Sequence, residues 1–77
     1  MKNITIENPT EFKNFFNEYT IGNGKLPVRV KVDNAEWCEI SKDDKKYKLQ
    51  IDGCPFSIPF NRLDNLLHAL RPTDWKW

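Results

Sequence analysis

Three turn signals between Val28 and Phe60 cut the middle of this chain into short alternating segments. Because side chains along a strand alternate between faces, each turn assigns the residues beside it to one face or the other. If Asp52-Gly53 forms a two-residue hairpin turn, Ile51 lies opposite Cys54, Leu49 opposite Phe56 and Tyr47 opposite Ile58, all on one apolar face. If Asp43-Asp44 turns the preceding hairpin in the same way, Ile40 faces Tyr47 and Cys38 faces Leu49, which extends that face over a third strand. The opposite face then carries Trp37, Glu39, Ser41, Lys46, Lys48, Gln50, Pro55, Ser57 and Pro59, a charged surface with one tryptophan.

The turn at Asp33 admits two forms. A two-residue Asp33-Asn34 turn puts Trp37 beside Val30 in the core, whereas a three-residue turn from Asp33 to Ala35 puts Cys38 there and Trp37 outside. The two downstream turns favour the second form. Val28, Val30 and Val32 alternate with Arg29, Lys31 and Asp33, the pattern of a half-buried strand with a basic outer side. In the segment from Pro55 to Phe60, the two-residue turn places Pro55 and Pro59 where their missing N–H groups face away from the partner strand. That predicts a sheet edge closed to strand addition.

Helical signals flank this meander. Asn3 to Glu7 alternates as a short strand. Asn8 then stands as an N-cap, Pro9 suits the first helical position, and Glu11 occupies the capping-box site. Phe12, Phe15, Phe16 and Tyr19 follow at i, i+3, i+4 and i+7, a core stripe that ends by Gly22-Asn23-Gly24. A second helix is predicted from an Asn61 cap with Asp64 at the capping-box position and a Leu63, Leu66, Leu67, Leu70 stripe; Pro72 ends it by pushing Arg71 out of helical geometry. The expectation is one domain over residues 1–77. It is a two-layer α+β sandwich in the order β-α-β-β-β-β-α, its sheet mainly antiparallel, with both helices on one face.

With 77 residues, the chain buries only about 60% of its unfolded surface, so a homodimer would add useful area. Twelve basic and eleven acidic residues leave a net charge of +1, which argues against a general polyanion binder and against an acidic nucleic-acid mimic. No apolar run reaches signal-peptide or transmembrane length, so a soluble cytoplasmic protein with no membrane partner is expected. Cys38 and Cys54 fall on strands separated by a third strand, about 10 Å apart and too far for a disulfide, so two reduced, buried thiols are predicted. One His and two distant Cys form no zinc signature, and no cofactor is expected.

Catalytic constellations are equally sparse. His68 is the lone imidazole, expected on the helix surface in an i, i+4 pair with Asp64. Asp43, Asp44 and Asp52 are accounted for by turn chemistry, and Gly22-Asn23-Gly24 lacks the Lys-Ser/Thr of a phosphate loop. These absences point to a non-enzymatic protein.

The outer sheet face is the stronger candidate. The turn register sets Lys31, Trp37, Gln50 and Pro55 in one cross-strand row and Arg29, Glu39, Lys48 and Ser57 in the next, with Glu39 and Lys48 expected as an ion pair. Trp37 with Arg29, Lys31, Lys48 and Gln50 has the composition of a protein-binding hot spot. The expected function is a small interaction module, an inhibitor or adaptor that masks a surface of a larger protein. Accessory proteins of phages and mobile elements, among them inhibitors of host enzymes, work in this way. The alternative gives the same face to single-stranded nucleic acid, with Trp37 stacking on a base and the cations holding phosphates. Trp75 and Trp77 near the C-terminus are expected to fold back on the domain or to make a second or dimer contact.

Overall fold

The computed structural model describes residues 2–75. The first strand, β1 (Lys2–Ile6), leads into helix α1 (Pro9–Thr20), and the chain continues through β2 (Val28–Val32), β3 (Cys38–Asp43), β4 (Lys46–Ile51) and β5 (Ile58–Phe60) to helix α2 (Leu63–Leu70). The five strands lie in sequence order in one sheet. β1 pairs parallel with β2, and the other three pairs are antiparallel. A parallel pair needs a crossover connection, and α1 supplies it.

The α1 cap forms at Asn8, whose Oδ1 accepts from the Glu11 backbone N–H at 2.9 Å, with Pro9 in the first turn. Glu11 Oε1 in turn accepts from the Glu7 backbone N–H at 2.8 Å. Phe12, Phe15 and Tyr19 are buried from α1, and Leu66 and Leu67 from α2. They share a single core with Ile6, Val28, Val30, Val32, Cys38, Ile40 and Leu49, so both helices cover one face of the sheet as predicted. Burial pushes the Tyr19 phenol up from its ordinary pKa, and neighbouring Glu18 adds to the shift.

Three local expectations are corrected. Asp43 pairs with Lys46, so the β3–β4 turn is Asp44-Lys45, with Asp44 at φ 57°; Ile40 faces Leu49 rather than Tyr47, and Cys38 faces Ile51 rather than Leu49. The Asp52-Gly53 turn does form, closed by the Cys54 N–H to the Ile51 carbonyl at 2.9 Å, but the chain then leaves the sheet and re-enters only at Ile58. Of the two turn residues only Gly53 has positive φ (86°). Turns without the primed geometry splay the strands they join, and Pro55 has no N–H with which to continue the ladder. Leu49 therefore faces Ile58 and Tyr47 faces Phe60, while Phe56, placed in the core by the two-residue turn, is 67% exposed. Both slips are of two residues, so every inward residue that stays in a strand keeps its face. Lastly, α2 is capped at Arg62 instead of Asn61, with the Arg62 guanidinium on the Asp64 carboxylate at 3.0 Å; Arg71 is extended ahead of Pro72, as predicted.

The three-residue form of the Asp33 turn describes the β2–β3 connection: Val30 faces Cys38 and Cys38 is buried. The ring of Trp75 packs edge-on against Phe12 at 6.1 Å, so this part of the tail folds onto its own domain, while Trp77 lies outside the described residues.

Cys38 and Cys54 are free thiols, but only Cys38 is buried; Cys54 sits half-buried in the loop that leaves the sheet. Burial pushes the Cys38 thiol above its ordinary pKa, and Asp52 adds to the shift. A thiol with a raised folded-state pKa contributes its stability in full below the unfolded value of about 8.5 and loses it as pH rises through the folded value. In a time course with a disulfide reagent at pH 8, Cys54 reacts first and Cys38 follows at the rate of unfolding. Rapid equal reaction of both thiols would contradict the buried placement of Cys38.

Candidate functional site

The outer sheet face is built by the residues that alternate with the core: Asn3 and Thr5 on β1, Arg29 and Lys31 on β2, Glu39 and Ser41 on β3, Lys48 and Gln50 on β4. Trp37, immediately before β3, projects to this face because Cys38 points inward. The side chain is half-buried. The Arg29 guanidinium lies over the Trp37 ring at 5.8 Å and donates from Nη2 to Asp52 Oδ2 at 2.7 Å. Asp52 is joined to the same cluster through the main chain, its N–H donating to the Trp37 carbonyl at 2.9 Å. The hydrogen bond from the Arg29 guanidinium to the Asp52 carboxylate raises the Arg29 pKa above its ordinary value. Trp37, Arg29 and Asp52 thus form one unit in which the indole is held by a cation that a carboxylate positions.

Of the predicted site residues, the structure brings Arg29, Lys31 and Trp37 together. Lys31 and Trp37 line a shallow groove with Thr5, Asn34 and two acidic residues, Glu7 and Asp33. Gln50 lies in the Arg29–Glu39 row instead of beside Trp37. Its Nε2 donates to the Cys54 carbonyl at 2.7 Å and to the Ile51 carbonyl at 3.3 Å, holding the loop after β4. Lys48 stands a further rung along, between Ser41 and Pro59, with its ammonium on Asp43 at 2.8 Å. The expected Glu39–Lys48 pairing is therefore replaced by Lys48–Asp43. The hydrogen bond from Lys48 holds the Asp43 carboxyl below its usual pKa.

Two residues, Asp52 and Phe56, are not distinguished by alternation. Asp52 reads as a turn residue alone, because the Asp43-Asp44 turn, two residues off in register, puts Gln50 next to Trp37. Phe56 reads as a core residue from the two-residue turn, although Pro55 before it and a single Gly in the turn are signals of a strand break. The loop bearing Phe56 starts at Asp52, whose N–H donates to the Trp37 carbonyl, and the Phe56 side chain on it is exposed.

On α2, the ring of His68 lies against Phe16 at 5.0 Å, and Asp64, its expected partner, holds Arg62. Among the described residues no group of three or more His, Cys, Asp or Glu side chains is placed to hold a metal ion. No helix among them is long and apolar enough to cross a membrane.

Fold and site together define a small α+β sandwich whose helices cover one sheet face and leave the other open around a braced tryptophan. Comparison with family models, with curated proteins and with solved structures finds no match to this chain.

Proposed function

We propose that this chain is a non-enzymatic, cytoplasmic protein-binding module, an inhibitor or adaptor that masks a surface of a larger protein through the open face around Trp37. The observation that carries this reading is the Trp37–Arg29–Asp52 unit: an aromatic anchor held in place before any partner arrives. Hot spots are rich in Trp and Arg, and an anchor ordered in advance loses less conformational entropy on binding. Lys31 extends the contact along the groove it shares with Trp37, Gln50 supports the loop that carries the exposed Phe56, and Lys48 lies at the margin. Accessory proteins of phages and mobile elements fit this description, and a reducing cytoplasm suits two free thiols.

The nucleic-acid alternative draws its support from the same indole and the basic side of β2. It is weakened by the carboxylates on that face: Asp52 engages Arg29, Asp43 engages Lys48, and Glu7 and Asp33 share the groove with Lys31. A face so neutralised offers phosphates little net attraction.

The test has two arms. Affinity capture with the wild-type chain identifies the partner, and Kd is then measured for Trp37→Ala after circular dichroism confirms its fold. The expected loss is about 2 kcal/mol or more, roughly 30-fold in Kd. An unchanged Kd would remove Trp37 from the site. Titration of intrinsic fluorescence with oligo-dT at low salt is expected to show no Trp37-dependent quenching; quenching lost in Trp37→Phe would move the reading to single-stranded nucleic acid.

A further inference from the structure

The two edges of the sheet are treated differently. β5 carries Pro59 and is entered from a loop containing Pro55, the features that blunt an edge. β1, with the sequence Lys-Asn-Ile-Thr-Ile, contains no proline and is rich in β-branched residues, and among the described residues no strand pairs with its outer side. The direction of its backbone groups follows from one hydrogen bond. The Ile6 carbonyl accepts from Asp33 N–H on the inner, β2-side edge at 2.7 Å, and within a strand alternate residues direct both N–H and C=O to opposite edges. Lys2, Ile4 and Ile6 therefore bond toward β2, and Asn3, Thr5 and Glu7 point outward. Glu7 is the one of these whose N–H is covered, by Glu11 Oε1 at 2.8 Å. Among the described residues none bonds the outward backbone groups of Asn3 and Thr5, which are left as two outward donor–acceptor pairs. Beside them a groove runs between β1 and α1, floored by Ile4, Ile6 and Phe15 and rimmed by Lys2, Glu11 and Glu18.

We propose that this edge pairs with the β1 edge of a second copy of the chain, antiparallel about a twofold axis at Ile4. In that register Asn3 faces Thr5 of the second copy and Thr5 faces its Asn3, so the four outward N–H groups of the two strands meet four carbonyls. Ile4 faces its own counterpart at the closer, non-hydrogen-bonded position, where side chains touch best. Lys2 falls opposite Ile6 of the other copy, at the end of the groove where Glu11 stands, so the ammonium of each copy meets the acidic rim of its mate. The inward set Lys2, Ile4, Ile6 thus complements itself: cation on acid at the ends and Ile on Ile at the centre. The twofold axis runs through the sheet, so the product is one continuous ten-stranded sheet with all four helices on one side and both Trp37 faces open on the other.

Size-exclusion chromatography with light scattering tests this on the full chain at about 100 μM, where an interface of micromolar Kd is saturated. Twice the chain mass is expected, and in concentration-dependent hydrogen exchange the Asn3 and Thr5 amides should gain protection as the dimer forms. Thr5→Pro deletes an N–H that no described residue accepts, and should give a monomer with an unchanged far-UV spectrum. Lys2→Glu sets carboxylate against carboxylate and should raise Kd at least tenfold. A monomeric wild type overturns the proposal, even if the edge captures a strand of another protein. So does a dimer whose Kd is unmoved by Lys2→Glu or whose Asn3 and Thr5 amides stay unprotected. Because Trp37 lies on the opposite face from the helices, loss of partner binding in Trp37→Ala and loss of the dimer in Thr5→Pro are separable results.

Discussion

Phe12→Ala is expected to leave the domain largely unfolded at 37 °C. Phe12 is fully buried at the meeting point of the two layers, with the rings of Phe15 at 6.4 Å and Trp75 at 6.1 Å packed around it. Truncating a buried Phe costs about 3–5 kcal/mol, because the transfer free energy is lost and the surrounding ring cluster collapses only partly into the space. A domain of this size holds roughly 0.05–0.15 kcal/mol per residue in total, so the loss is comparable with the whole stability. Urea denaturation at low temperature, followed by circular dichroism, measures it. A change below about 1.5 kcal/mol would mean that the core does not centre on α1. Phe16, one position off the buried stripe and only partly covered, serves as the comparison and should cost less.

Gly24→Ala should be the most damaging of the mild substitutions. A Cβ built on Gly24 would stand 2.7 Å from Cδ2 and Cγ of the Tyr19 ring and 2.8 Å from Cδ1. The ring has little room to withdraw, since it is buried and packed against Phe15 at 4.7 Å. The loop is tied down as well, by the Gly24 N–H to the Glu18 carbonyl at 2.9 Å. Overpacking of this kind costs about 1–3 kcal/mol, and in a domain of 60–100 residues each kcal/mol lowers Tm by about 4–8 °C. The physical cause can be separated from backbone preference. Gly53, at φ 86°, has nothing within 4 Å of its Cβ position, so Gly53→Ala is costly through conformation alone. In a Tyr19→Leu background the penalty of Gly24→Ala should shrink by about 1 kcal/mol while that of Gly53→Ala stays the same. Equal shrinkage, or none for Gly24, would place the strain elsewhere.

Helix α1 could be read almost entirely from local chemistry. Asn8, Pro9 and Glu11 determine where it starts, and the spacing of Phe12, Phe15 and Tyr19 determines which side is buried. Each of those signals acts within one or two turns of chain. The faces of the sheet could be read too, since a side-chain period of two makes the assignment of Val30, Cys38, Ile40 and Leu49 immune to a slip of two residues. This is why one misplaced turn and one early exit from the sheet still leave these four residues in the core, while Phe56, beyond the exit, lies outside it.

The candidate site was legible only in part, because a site depends on neighbours as well as faces. Trp37 was correctly assigned to the outer face, and Arg29 and Lys31 to its vicinity, but Asp52 could not be distinguished from an ordinary turn aspartate. Which residue stands beside Trp37 depends on whether the chain turns at Asp43-Asp44 or one residue later. That choice rests on the small conformational cost of putting Asp44 at positive φ, set against the cross-strand pairs that the shift creates. The loop that leaves the sheet after Gly53 is held by Gln50, whose Nε2 donates to the Cys54 carbonyl, a contact outside any pattern of alternation. Local sequence by itself therefore determined the order of the elements, the faces of their strands and most of the core, with Phe56 and Cys54 the exceptions. Tertiary structure alone decided the β3–β4 and β4–β5 registers, the Arg29–Asp52 brace on Trp37 that follows from them, and the place of β1 at an open edge, because each depends on residues far apart in the chain whose pairing is settled only when the whole sheet closes.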